Sequence, residues 1–441
     1  MGYISRKGRR PMEYASKSSH SNIINDKTVE EFIQKCSLPK TSEDVDIGDE
    51  VDLLKTPDIN PIKSIIAIDG GYTEAVVRKK FPSATITFFQ FGALFFSIAD
   101  LEELERMPFI EPKDISKLKK IQRLKLVLPT KNVSLKDESS FVKSVRRTIF
   151  NYFISKPEED HFIDTLKWFI FEEYDNPKST WKLASCPTCG TTNISINRME
   201  LKNYITICPT CKSQIFLTDV FRLHEAIDNE LGAGGILGYV TTLIEQVLLT
   251  HVIRLILKTK PSLLNEILFV KDGPLAFFGQ TANMYKPMRR LMTYLIDKHK
   301  IHLAGMEKSG AFVEHADEIS SKLDAGQILI LDNDYIYKYV IPGKADPSNP
   351  YGRTTYYGNK IIFKSQDERI YVITLPTTEV LAEPKREDFK NIDTILYNIQ
   401  KLKCDMYDSS LIPIALVNKL VSLSNHPSSV ILEKFAKQSM G

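Results

Sequence analysis

Residues 1–60 show no sustained spacing of apolar positions. Ser-rich and acidic patches (Ser16 to Ser21, Ser42 to Asp52) predict an arm, with one short helix near Val29 to Gln34. Apolar residues then run from Ile65 to Ile68 into Asp69, Gly70 and Gly71. A run closed by glycines predicts a buried strand that turns at Asp69. Thr85 to Ile98 is rich in β-branched and aromatic residues and predicts one long strand or a hairpin. Phe141 to Ile154 and Phe162 to Tyr174 have helical spacing, as does Val220 to Lys258 around a Gly-rich break at Gly232 to Gly238. Ile267 to Asp272 is a second strand closed by glycine, Gly273. A helix at Tyr285 to Lys298 and a strand at Ile301 to Gly305 follow, which predicts a βαβ-like unit. Short strands are expected at Ile328 to Leu331, Lys360 to Lys364 and Ile370 to Thr374, and terminal helices at Phe389 to Leu402 and Pro413 to Leu423. This alternation predicts an α/β or α+β chain and excludes a repeat protein.

Of 441 residues 43% are apolar, enough for one large core and a small satellite module. The most apolar stretch, Leu243 to Leu257, is broken by Glu245, His251 and Arg254, and the basic Met1 to Arg10 leads into no apolar segment. The expectation is a cytoplasmic protein without membrane association. Lys and Arg total 58 against 55 Asp and Glu, a balance that neither demands nor excludes nucleic acid. Lys117, Lys119, Lys120, Arg123 and Lys125, with Lys143, Arg146 and Arg147, offer phosphate contacts or form solvated faces; Arg6 to Arg10 is a basic arm.

Cys186-Pro-Thr-Cys189 and Cys208-Pro-Thr-Cys211 form two knuckles separated by residues 190–207, while Cys36 and Cys404 stand apart. Four thiolates so arranged predict a tetrahedral Zn²⁺ site whose ligands all come from protein, hence a structural one, with tight turns at Gly190 and Lys212. The module occupies 181–219, between core segments 61–180 and 220–441, and is expected to contact DNA or a partner and to unfold without metal.

Asp69 and Asp272 end similar strands. Side by side in one sheet they would repel, and a divalent ion would relieve the repulsion; oxygen ligands suit Mg²⁺ or Mn²⁺. Either Asp-Gly is also an ordinary turn. Glu245 lies on a helix apolar almost all round, so it needs a metal, a cationic partner or a proton. Asp332, Asn333 and Asp334 form a loop that is the alternative metal site.

The order of these elements resembles the NurA nuclease family from about residue 61 onward: Asp-Gly after the first core strand, Glu245 in the long helix, then Val270-Lys-Asp-Gly-Pro-Leu275, and Ile301 to Gly310 ending in Lys308-Ser-Gly. The resemblance implies an RNase H-like mixed-sheet core flanked by helices. It implies a Mn²⁺-stimulated DNA nuclease, usually a homodimer, working with a HerA-type hexameric translocase in DNA-end processing or phage defence. Asp69, Glu245 and Asp272 match the metal-binding acids, and Lys308 the lysine able to meet a phosphate. One departure stands out. The family's C-terminal helix carries a histidine where this chain, in Pro413 to Leu420, has Leu420; Asn418, Lys419 and His426 are the nearby polar candidates. A catalytically weak or inactive DNA-clamping subunit is therefore the alternative, and a zinc-ribbon scaffold with an incidental α/β core the third reading.

Overall fold

The computed structural model describes residues 19–47, 51–99, 122–405, 410–423 and 426–440. The basic positions Arg6 to Arg10, Lys117, Lys119 and Lys120 fall outside them. In chain order the elements used below are α1 (Ser19–Ile24), α2 (Lys27–Gln34), β1 (Val51–Leu53), β2 (Ser64–Arg78), β3 (Ala84–Ser97), β4 (Gln122–Lys131), α3 (Phe141–Ser155) and α4 (Phe162–Ile170). Next come β5 (Thr180–Ser185), β6 (Thr192–Asn197), β7 (Ile205–Ile207), β8 (Gln214–Phe216), α5 (Leu237–Thr259), β9 (Ile267–Asp272), α6 (Tyr285–His299) and β10 (His302–Glu307). Then follow α7 (Ala311–Ile319), β11 (Gln327–Ile330), β12 (Gly358–Lys364), β13 (Ile370–Pro376), α8 (Ile392–Ile399), α9 (Ile412–Val421) and α10 (Ser428–Met440).

Among the described residues nine strands form one mixed sheet, ordered β1-β11-β12-β13-β10-β9-β2-β3-β4. The three central strands are parallel, β2 to β9 and β9 to β10, and the other pairings are antiparallel. The helix α6 between β9 and β10 supplies the crossover that a parallel pair requires. Side chains alternate across the pleat. Ile66, Ile68, Phe91 and Phe269 join a core with α3 to α6, while Ile65, Ala67, Leu268 and Val270 join the opposite core with α8 and α9.

Two expectations need correction. The strand β2 does not turn at Asp69; it pairs with β3 as far as Arg78 opposite Ala84. Its glycines serve close approach instead. A Cβ on Gly70 would lie 2.6 Å from Phe91 Cδ1, and one on Gly71 3.1 Å from the Val421 carbonyl. Gly273 does turn the chain, at φ +81°. Second, the stretch Gly234–Thr259 is long and apolar enough to cross a membrane by length and composition, yet 67% of its most apolar window is buried in the fold. Its polar groups are paired there: Arg254 Nη1 donates to Asp160 Oδ1 at 2.7 Å, and His251 Nδ1 lies 2.7 Å from Thr165 Oγ1.

The cysteine module consists of two small antiparallel ribbons, β5 with β6 and β7 with β8. It is packed onto α3. Phe216 stacks on Phe150 with ring centroids 4.5 Å apart, and Arg146 reaches across to Asp219. Leu183, Ile194, Ile196 and Ile215 are continuous with the core on that face.

Candidate functional site

The register Ala67 opposite Val270 and Ile68 opposite Lys271 sets Asp69, inside the longer β2, beside Asp272 at the edge where β9 ends. By alternation both acids leave the sheet on the α9 side, and Lys271 leaves on the α5 side. Glu245 comes down from α5 to that edge, buried like Asp69. Residues far apart in the chain thus converge.

The three carboxylates have different partners. Glu245 is held by Lys271, whose Nζ lies 2.9 Å from Oε2; this is the cationic partner a buried acid requires, and both side chains are under 10% exposed. Asp272 Oδ2 accepts from Lys308 Nζ at 2.7 Å, in a pair that solvent reaches. Lys308 is therefore neither free nor a solvated turn lysine. Asp69 Oδ1 accepts from the Gly70 N–H at 2.8 Å, while its Oδ2 is buried with no hydrogen-bond partner. Burial, then the charges of Asp272 and Glu245, push the Asp69 carboxyl up to about 7 against the pull of Lys308 and the Gly70 amide. Burial also raises Glu245, with Lys271 opposing.

An unpartnered buried carboxylate oxygen beside two further acids fits a hard divalent cation. Asp69 and Asp272 are the residues able to hold one, and Glu245 has one oxygen not engaged by Lys271. The three carboxylates do not all lie within ligand spacing of one another. Among the described residues only Cys186, Cys189, Cys208 and Cys211 form a group of potential ligands all within 4.8 Å.

That cysteine group suits a tetrahedral metal. The Sγ atoms of Cys186 and Cys211, and of Cys189 and Cys208, are 3.8 Å apart. Thiolates about 2.3 Å from a zinc ion have tetrahedron edges of about 3.8 Å. The knuckles match: the Gly190 N–H donates to the Cys186 carbonyl at 3.0 Å and the Lys212 N–H to the Cys208 carbonyl at 3.1 Å. Both turn residues have positive φ, +72° and +60°. Donation from Thr191 lowers the Cys189 thiol to about 6, whereas burial raises Cys186 to about 11.

Other candidates resolve differently. Asp332 caps a helical turn, its Oδ1 accepting from the Tyr335 N–H at 2.7 Å, and Asn333 braces the loop by donating to the Asp346 carbonyl; the alternative metal site is a capping motif. Arg146 is buried in a two-pronged pair with Asp219, at 2.9 and 2.7 Å, so it offers nothing to a phosphate. Arg147 is bound to Glu138. Arg123 and Lys125 line an open cavity whose wall also carries Glu158, Glu159 and Asp160, so its charge is mixed. Asn418, Lys419 and His426 are exposed, and Leu420 is half buried. The end of α9 nevertheless abuts the site: Gln90 Nε2 donates to the Leu420 carbonyl at 2.5 Å, and Val421 meets Gly71, two residues from Asp69. Lys271 escaped the sequence reading because it lies inside a strand whose other residues are apolar; a lone lysine there was itself the available signal.

No protein-family model matches the chain, and no curated protein matches it. Among solved structures it is similar to the crystal structure of NurA, with 11% identity and a TM-score of 0.31 over 97% of this chain and 99% of that one. It is also similar to the crystal structure of NurA with manganese, with 11% identity and a TM-score of 0.30 over 96% and 99%.

Proposed function

We propose that this chain is a metal-dependent DNA nuclease. The observation that carries the proposal is the meeting of Asp69, Asp272 and Glu245 at one sheet edge, with an Asp69 oxygen buried and unpartnered. The strand order β4-β3-β2-β9-β10, an antiparallel meander followed by two parallel strands, supports an RNase H-like core. Asp69 and Asp272 would hold Mn²⁺ or Mg²⁺, with Glu245 completing the site. Such an ion would supply Lewis acidity and an activated water for phosphodiester hydrolysis. Lys308, already within reach of Asp272 and part exposed, would turn to the phosphate. Zn²⁺ on the four cysteines would hold the 181–219 module against α3, so that 61–180 and 220–441 form one interrupted core. The sequence resemblance alone underlies the proposed HerA-type translocase partner, homodimer, cytoplasmic location and role in end processing or defence.

Leu420 favours a second reading. The end of α9, which lies against Gly71 two residues from Asp69, carries Leu420 where the family has a histidine, as expected of a DNA-clamping subunit of weak or no activity. Purified protein should cleave DNA with Mn²⁺, and Asp69→Ala should not. Cleavage by both, or by neither, overturns the catalytic reading.

A further inference from the structure

Lys271 is a buried cation with two acceptors on different elements. Its Nζ donates to Glu245 Oε2 at 2.9 Å and to the backbone carbonyl of Asp272 at 2.5 Å. The lysine thereby ties α5 to the end of β9, on the backbone that carries Asp272. The other Glu245 oxygen is turned toward β2: a Cβ on Gly70 would lie 3.2 Å from Oε1. Glu245 is fixed between β2 and β9, next to Asp69, by a group that solvent does not reach.

We infer that Lys271 is a positioning residue for the metal centre: by gripping Oε2 it leaves Oε1 as the single Glu245 oxygen presented to the cation, and the Asp272 carbonyl anchors the ammonium in that pose. This rests on the metal-centre reading above. The contrast with Lys308 is built in. Lys308 is part exposed and holds Asp272 Oδ2, an oxygen it would yield to an ion bound there; Lys271 is enclosed and would stay. A lysine present only to balance the charge of Glu245 would stabilise the fold but leave cation affinity to Asp69 and Asp272.

The test is a Mn²⁺ titration followed by electron paramagnetic resonance on full-length protein, with each variant's melting temperature in EDTA measured alongside. Lys271→Met is expected to weaken Mn²⁺ binding about tenfold or more, as removal of groups that orient metal ligands does. Glu245→Gln should lose a similar amount. The decisive comparison is Glu245→Gln against Glu245→Gln/Lys271→Met, because the double variant leaves no carboxylate stranded by the loss of Lys271 and is expected to fold even where Lys271→Met fails. Affinities within about twofold mean that Lys271 acts through Glu245. A further tenfold loss in the double variant, or wild-type affinity in folded Lys271→Met, overturns the role of Lys271 while leaving the metal centre standing. No Mn²⁺ binding by the wild-type protein overturns the metal centre itself, and the role of Lys271 with it.

Discussion

Replacing Asp69 by Asn tests the electrostatics of the candidate centre without presuming catalysis. In the metal-free protein the Asp69 carboxyl is raised from 3.8 to about 7 by burial and by its two acidic neighbours. The native state therefore keeps a proton that the unfolded chain has lost. Stability attached to this group is present in full below about pH 4, is lost as pH rises from 4 to 7, and is level above that. At about 1.4 kcal/mol per pH unit, the loss by pH 8 is roughly 4 kcal/mol. Asn keeps the acceptor for the Gly70 amide and removes the charge. In EDTA, Asp69→Asn should match wild type near pH 4 and exceed it by about 2–4 kcal/mol at pH 8, the lower figure allowing for relaxation of the site. Urea unfolding followed by Trp168 and Trp181 fluorescence gives both curves. Mn²⁺ should close most of that gap: a hundredfold excess over Kd stabilises a binding protein by about 2.7 kcal/mol, and the variant should gain little. Parallel pH curves in EDTA, or equal Mn²⁺ stabilisation of both proteins, would refute the reasoning.

His251 is held neutral by burial, lowered to about 4, so the native state binds fewer protons than the unfolded chain below about pH 6.5; acid unfolding should draw roughly 3 kcal/mol from it between 6.5 and 4, and His251→Gln should flatten that limb. Arg146→Ala strands Asp219 at the junction of ribbon and α3 and should cost about 3–5 kcal/mol in chemical denaturation, with a loss under 1 showing that the junction is not a load path. Gly70→Ala forces a methyl against Phe91 and the Glu245 carboxylate, and should cost about 1–3 kcal/mol in the same assay, unlike Gly235→Ala, where the added carbon meets nothing within 4 Å. Purified protein should carry one zinc per chain by metal analysis, and Cys208→Ser should lose it together with the Trp181 signal of the folded ribbon; full zinc in that variant contradicts the four-thiolate site.

Much of the sheet was legible because buried strands advertise themselves. Ile65 to Ile68 and Ile267 to Val270 are unbroken apolar runs, and the βαβ unit followed from the helix between two such strands. The cysteine spacing carried its geometry in the motif. The continuation of β2 past Asp69 was not legible: Gly70 and Gly71 look like punctuation, and only Phe91 and the end of α9 reveal that they make room. The helix α10, whose described contacts include Ala436 against Ala75 and Phe88, has too little apolar periodicity to announce itself. At the site, chemistry was readable one residue at a time but pairing was not. Glu245 called for a partner, and identifying Lys271 as one required the register of β9 against β2. Arg146 looked like a phosphate contact because its acidic partner, Asp219, lies on the far side of the cysteine module in sequence.

Charge balance connects the two lysines to the proposed activity. Three carboxylates against two ammonium groups leave one negative charge at the sheet edge, and it falls on Asp69, whose second oxygen receives no donor and whose proton is hard to remove because of burial and the two neighbouring acids. A third lysine would have neutralised the site and left no reason for a cation to enter a low-dielectric pocket. With neither lysine, three unpaired acids would make the metal-free fold costly to maintain. The observed count permits folding without the ion and still favours its entry. A divalent ion held by Asp69 and Asp272 would leave one positive charge in excess, the complement of a single phosphodiester, and a Lys308 freed from Asp272 would be placed to meet that phosphate.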